Sequence, residues 1–313
     1  MDIEAFKDKY EHKKVIENTN SVAKNPLVSV CIQTYQHEDY IKECLDSIII
    51  QKTDFQFEVL LGEDASDDNT RAICISYAKR YPNKIRLFLH HRENNISIGG
   101  SPSGRFNFLY NLHNAKGKYI VLCEGDDYWT DPLKLKNQVD FLEANEGFSF
   151  CYHNVDTLNQ QNQKLILNKL DQLKTITYSK NDIYNVTIPT LSVMFRNIIQ
   201  NKINTDIVSE IPHGDIFIYS LLVQHGDFAN LGFIAGVRRV HENGTYSGKS
   251  LIDRYKAIYI TRKKMIESNL FDFKFNEIII KSIRMKKRVV LISMAKKLKL
   301  FQIIKVVLIH NKF

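Results

Sequence analysis

The sequence predicts an α/β protein: a mostly parallel sheet flanked by helices, with a helical extension at the C-terminal end. Short β-branched runs without helical period alternate with helical segments of about 10 to 15 residues through the first half, the pattern of a parallel sheet covered on both faces. The stretch 250–313 lacks proline and is rich in Lys, Ile and Leu, which reads as helix. With 313 residues, 44% of them hydrophobic, the chain can bury a sizeable core.

Taken in order, residues 1 to 25 are polar and form an N-terminal extension or short helix before Pro26. "LVSVCIQT" (27–34) is the first clear strand. In "EDYIKECLDSIIIQ" the residues Tyr40, Ile41, Cys44, Leu45 and Ile48 recur at helical spacing, with Glu38 and Asp39 expected in the first turn, where the helix dipole favours carboxylates. A second strand, "FEVLLGE" (57–63), leads through "DASDDNT" into a helix ending near Pro82. The strand "KIRLFLH" (84–90) is followed by the glycine-bearing loop "RENNISIGGSPSG", the helix "RFNFLYNLHNA" and the strand "KYIVLCE". Beyond 148 the pattern loosens: "FSFCYHNV" and "TLSVMFRN" read as strands, "GDIFIYSLLVQHG" as a helix, and "FANLGFIAGVRRVH" as one long or two short strands. The expected organisation is an extension over 1–25, one α/β domain over 26–249, and a basic helical extension over 250–313.

The formal charge of +8 is uneven, because no Asp or Glu follows Glu277 while Lys and Arg recur to the end. The five cysteines are scattered without a C-x-x-C pair, and Cys31, Cys123 and Cys151 fall in apolar runs, so they read as reduced, buried thiols of a cytoplasmic protein. The charged N-terminus has no apolar signal region, and no run approaches the ~18 apolar residues of a spanning helix.

In open parallel sheets ligands bind beyond the carboxyl ends of the strands. That topology puts Thr34, Asp64 and the acidic cluster Glu124, Asp126 and Asp127 on one edge. Two residues apart on an extended backbone, Glu124 and Asp126 share a face, which suits a divalent ion bridging to phosphate oxygens; the alternative is that Asp126 and Asp127 cap the segment after them, as Asp131 before Pro132 is expected to do.

Three blocks, "VSVCIQTYQHEDYIKECLDSI", "FEVLLGEDASDDNT" and "RFNFLYNLHNAKGKYIVLCEGDD", together resemble the nucleotide-sugar-binding domain of the family 2 glycosyltransferases, over about residues 27 to 145. The resemblance implies the GT-A fold and an inverting enzyme that moves a sugar from a nucleoside-diphosphate donor, a UDP-sugar, to a glycan or lipid-linked acceptor in cell-surface polysaccharide synthesis. By position it implies that Thr34 and Tyr35 line the base pocket with Glu38 close by, and that Asp64 hydrogen-bonds the base. Arg105 and Asn107 match a pair near the ribose and diphosphate. Glu124-Gly125-Asp126 stands where the family has Asp-x-Asp, with Asp126 as the residue that holds a divalent metal, Mn²⁺ or Mg²⁺. The chain departs from the family at Gln33 and Gln36, and at Glu124, which reaches one methylene further than Asp.

Inverting transfer needs a base near the acceptor hydroxyl. The resemblance puts it at Asp215, where Gly214 replaces the family's usual acidic neighbour; otherwise Asp215 is simply a first-turn helix residue. His241 in "RRVHENGTYS" matches a strand-end histidine that contacts diphosphate or metal, with a structural role as the alternative. Trp129, the one tryptophan, is either an acceptor-side stacking platform or core. The basic tail 278–313 either lies on an anionic membrane, as a peripheral attachment at the inner face, or packs as a helical hairpin on the domain. Nucleic acid is disfavoured, and no G-x-G-x-x-G supports a nicotinamide enzyme. The rival function is a non-catalytic nucleotide-sugar-binding or scaffold module.

Overall fold

The computed structural model describes residues 3–168, 174–198, 203, 205–241 and 249–296. In chain order the elements are α1 (Ile3–Tyr10), β1 (Ile16–Glu17), β2 (Val28–Thr34), α2 (Ile41–Ile49), β3 (Phe57–Glu63), α3 (Thr70–Arg80), β4 (Ile85–Leu89), β5 (Ser97–Ile98), β6 (Ser101–Pro102), α4 (Arg105–Asn114) and β7 (Tyr119–Glu124). They continue with β8 (Tyr128–Trp129), α5 (Lys134–Ala144), β9 (Phe148–Asn159), β10 (Lys164–Ile166), β11 (Ile176–Tyr178), β12 (Met194–Arg196), α6 (Thr205–Glu210), α7 (Gly214–Leu222), β13 (Asp227–Val240), α8 (Leu251–Glu267) and α9 (Phe273–Lys296).

The main sheet runs β1-β4-β3-β2-β7-β12-β9-β13-β11. Strands β4, β3, β2 and β7 are parallel, as are β9 and β13. The short β12 lies antiparallel between β7 and β9 and joins the two parallel sets. Both faces are covered, which is why the central strands are continuous apolar runs. On one face Val28, Val30 and Ile32 pack with Ile41, Leu45, Cys74 and Leu135 of α2, α3 and α5. On the other, Cys31, Leu60 and Phe88 meet Phe106 of α4 and Phe6 of α1, the two rings stacked at 5.2 Å. Each such apolar side chain contributes ~1.5–3 kcal/mol when fully buried. All five cysteines are free thiols and buried.

Helix α2 starts at Ile41, so Glu38 and Asp39 lie in the turn before it and not in its first turn. Glu38 bonds instead to the loop after β3. At the C-terminal end, α8 and α9 pack together through Tyr255, Val290 and Met294. Phe271, Phe275, Ile279 and Ile283 enter the main core, so this hairpin is seated on the α/β unit. The "IIKVVLI" part of the tail lies outside the described residues. Among the described residues no helix is long and apolar enough to cross a membrane.

Candidate active site

The parallel register sets the carboxyl ends of three strands side by side: Thr34 of β2 opposite Glu63 of β3, and Gln33 of β2 opposite Glu124 of β7. The loops leaving these ends are pinned to one another. The N–H of Asp64 donates to the Thr34 carbonyl at 3.1 Å and that of Gly125 to Gln33 at 2.9 Å. Gln36 and Ala65 adopt left-handed conformations, with φ of 53° and 55°. Such backbone costs a non-glycine residue ~1–2 kcal/mol, and it occurs here in two strand-end loops that touch, the Gln36 N–H donating to Ser66 Oγ at 2.9 Å.

Asp64 is almost completely buried. Its Oδ2 accepts from Arg92 Nη1 at 2.8 Å and from Asn95 Nδ2 at 3.2 Å, while Oδ1 is buried without a partner. Burial pushes its carboxyl up to about 6, against the pull of Arg92. The Arg92 guanidinium lies 4.0 Å over the Tyr35 ring. Glu38 accepts from the N–H and the side-chain amide of Asn69 at 3.0 and 2.8 Å, tying the loop after β2 to the loop after β3. Thr34 is buried, with its Oγ1 3.2 Å from His37 Nδ1.

The acidic turn comes directly after β7. A Cβ at Gly125 would lie 2.8 Å from the Thr34 side chain and 3.0 Å from His37 Nδ1, so only glycine lets the turn close on the end of β2. Asp126 Oδ2 pairs with His241 Nε2 at 2.9 Å. Burial works against the Asp126 charge, but this bond and the nearby His37 hold its carboxyl below the usual range. Glu124 is pushed up to about 8, by burial first and then by the charges of Asp126 and Asp215. Asp127, the third carboxylate, accepts the Arg239 N–H at 2.8 Å and is raised by burial and its acidic neighbours.

Arg239 braces the whole turn. Its Nη1 donates to the Asp126 carbonyl at 2.6 Å, it pairs with Glu43 of α2, and its guanidinium lies 5.2 and 4.5 Å over Tyr40 and Tyr128. One long strand, β13, therefore delivers both the brace and, one residue past its end, His241.

Asp215 lies in the first turn of α7, where its charge reaches Glu124, Arg105 and His213. Arg105 Nη2 donates to the carbonyls of Ile211 and Pro212 at 3.1 and 3.2 Å. Burial lowers its guanidinium to about 10, although Asp215 opposes the shift. A Cβ at Gly214 would clash outright with Arg105 Nη1, only 1.5 Å away. The missing acidic neighbour of Asp215 thus leaves the space in which Arg105 holds the start of α7.

Two expectations are corrected. Trp129 is core: it is 3% exposed, its indole N–H donates to the Leu191 carbonyl at 3.0 Å, and Lys134 Nζ covers its ring at 3.9 Å, so no sugar can stack on it. Asn107 is fully buried and donates to the Gly62 carbonyl at 2.8 Å, which ties α4 to β3 and leaves nothing for a ribose. Sequence reasoning also missed His37, Arg92 and Asn95. His37 had a signal, two residues past Tyr35 in the same strand-end loop; Arg92 and Asn95 had none, because their importance lies in contact across 28 and 31 residues.

Asp126 and His241 bring a carboxylate and an imidazole together at this edge, donor types that can ligate a divalent ion. Among the described residues no three His, Cys, Asp or Glu side chains are grouped to hold a metal unaided. The donor set fits an ion whose remaining positions are filled by ligand oxygens, not a closed protein cage.

This acidic edge on a parallel sheet completed by an antiparallel insertion defines the GT-A type of α/β protein. The chain belongs to glycosyl transferase family 2, whose sequence model matches residues 29–202. An uncharacterized protein of Mycobacterium tuberculosis is 41% identical over 137 residues, 44% of this chain and 37% of that protein. A poly(ribitol-phosphate) beta-glucosyltransferase of Bacillus spizizenii is 32% identical over 102 residues, 32% of this chain and 15% of that protein. The chain thus spans little more than a third of its mycobacterial relative. S. aureus TarS 1-349, solved in complex with UDP-GlcNAc, shares the fold with a TM-score of 0.58 at 17% identity, over 82% of this chain and 71% of that one. The mannosyltransferase PcManGT from Pyrobaculum calidifontis, solved with GDP-Man and Mn²⁺, gives 0.57 at 15% identity, over 92% and 80%.

Proposed function

We propose that the chain is an inverting glycosyltransferase that moves a sugar from a UDP-sugar to a glycan or lipid-linked acceptor in the synthesis of a cell-surface polysaccharide. The observation that carries the reading is the meeting, at one sheet edge, of Tyr35 and Asp64 beneath Arg92, the Asp126–His241 pair and Asp215. Family membership supports it, as do relatives named for glycosyl transfer and fold neighbours solved with UDP-GlcNAc or GDP-Man.

In this reading the bare Asp64 Oδ1 accepts an N–H of the base. Asp126 and His241 hold Mn²⁺ or Mg²⁺, which when bound offsets the charge gathering on the leaving diphosphate. Glu124 faces the same region, and its raised carboxyl suits a hydrogen bond to a sugar hydroxyl. Asp215 takes the proton of the acceptor hydroxyl, held in position by Arg105 at the start of α7. Residues 26–249 form the transferase unit, with 1–25 and 250–313 as extensions.

The C-terminal extension adds a place of work. On α9, Met285, Val289 and Ile292 are about half exposed on one stripe, beside the cations Arg284, Lys286 and Arg288. Such a helix suits the anionic inner face of a membrane, and we assign peripheral attachment there.

The test is Asp215→Asn. Asn keeps the shape but takes no proton, so turnover with UDP-sugars and Mn²⁺ should fall by about 10² to 10⁴ while calorimetric donor affinity barely changes. Near-parental turnover would return Asp215 to a structural role. A parent protein that neither binds nor slowly hydrolyses any nucleotide sugar would favour the scaffold alternative.

A further inference from the structure

Arg92 makes a strong contact at the Asp64 end of the site, and the proposed function leaves it without a task. Its guanidinium lies 4.0 Å over the Tyr35 ring, and its Nη1 donates to Asp64 Oδ2 at 2.8 Å. A guanidinium is planar and stacks on aromatic faces as a nucleobase does, and it carries hydrogen-bond donors at its rim as a base edge does. At 4.0 Å nothing planar fits between the two groups. The Arg92 side chain is 37% exposed, so it can leave for solvent, whereas Asp64 beneath it is 2% exposed and fixed. The second carboxylate oxygen, Asp64 Oδ1, is buried without a donor. The seat is therefore half satisfied: a planar cation covers the ring and takes one oxygen of Asp64, and the other oxygen is left unmatched.

We infer that Arg92 is a further determinant of donor binding that acts by competition: it fills the base seat on Tyr35 and Asp64, and the incoming nucleobase must displace it. This rests on the proposed donor reading and adds to it a chain-specific cost of entry. When only the fraction of molecules with Arg92 swung away can bind, the apparent dissociation constant is the intrinsic one divided by that fraction. Removing Arg92 therefore tightens binding, the reverse of the effect of removing a contact residue. The gain falls in the association step, because the bound state has already lost the Arg92 contact.

The experiment measures UDP and GDP binding, each with Mn²⁺, to the full chain and to Arg92→Ala and Arg92→Gln, by calorimetry for affinity and stopped flow for rates, with circular dichroism melts as the check on folding. Gln keeps an amide to bond Asp64 but has no cation to stack, so it carries the test if the Ala variant is poorly folded. The expected result is binding about threefold to tenfold tighter than the parent, through faster association, for the nucleotide that the parent binds. Equal or weaker binding by the variants, or a change confined to dissociation, overturns the competition. A parent that binds neither nucleotide overturns the donor reading and the competition with it, and the parent's own titration tells these failures apart.

Discussion

Lys134 makes the sharpest statement about stability. Its side chain is fully buried in α5, its Nζ donates to Gln138 Oε1 at 2.8 Å and lies over Trp129, and it forms no ion pair among the described residues. Burial lowers its ammonium from an ordinary 10.5 to about 7, only partly opposed by the nearby thiols of Cys123 and Cys151. The folded state therefore releases the proton that the unfolded chain still holds between pH 7 and 10.5. Below pH 7 both states carry it, and the full cost of burying the charge, about 5 kcal/mol, falls on the native state; as pH rises through this window the cost fades and stability increases. Lys134→Met keeps the length of the side chain and removes the charge. It also loses the cation–π contact and strands Gln138 Oε1, together worth about 2 to 4 kcal/mol, so a net gain of about 1 to 3 kcal/mol is expected at pH 6. The gain should shrink by about 3 kcal/mol between pH 7 and 9.5. Urea unfolding of parent and variant, followed by circular dichroism at both pH values, gives this difference with all other titrating groups cancelled. A difference that stays constant with pH would refute the reasoning.

Two further outcomes are expected. Ala65→Gly relieves a left-handed alanine and should stabilise the protein by about 0.5 to 1 kcal/mol after the added freedom of the unfolded chain is counted, seen as a higher melting temperature; a lower one would mean that the alanine is not strained there. Replacing Met285, Val289 and Ile292 by serine should cut flotation with anionic vesicles by at least about tenfold, and salt should weaken the remaining binding, since the Debye length is ~8 Å at physiological ionic strength. Undiminished flotation would place membrane contact elsewhere.

Much of the fold was legible in the sequence where local pattern decides structure. The β-branched runs and helical spacings from 27 to 145 predicted the strand and helix order because each element's character is set by its own residues, and the topology put Thr34, Asp64 and Glu124 on one edge. The features that the sequence left open depend on contacts between distant residues. Trp129 stands next to the acidic turn, yet its indole meets Leu191, and no spacing reports that. Arg105 was assigned to the donor by position, and no spacing reports that its guanidinium fills the space beside Gly214 and donates to the carbonyls before α7. The antiparallel β12 between two parallel sets is likewise a matter of pairing partners, which a three-residue strand does not announce.

The five thiols, spread over α2, α3 and three strands and all sealed from solvent, give the chain a clock of its own. A thiol reagent can reach Cys31 only when the layer of α1 and α4 lifts from the sheet, and Cys151 only when α5 lifts from the other face, where Cys44 and Cys74 of α2 and α3 are also sealed. The order and rates at which they are modified would therefore time the openings of separate layers in the native protein, with no residue substituted, and would tell a fraying edge from a global breach.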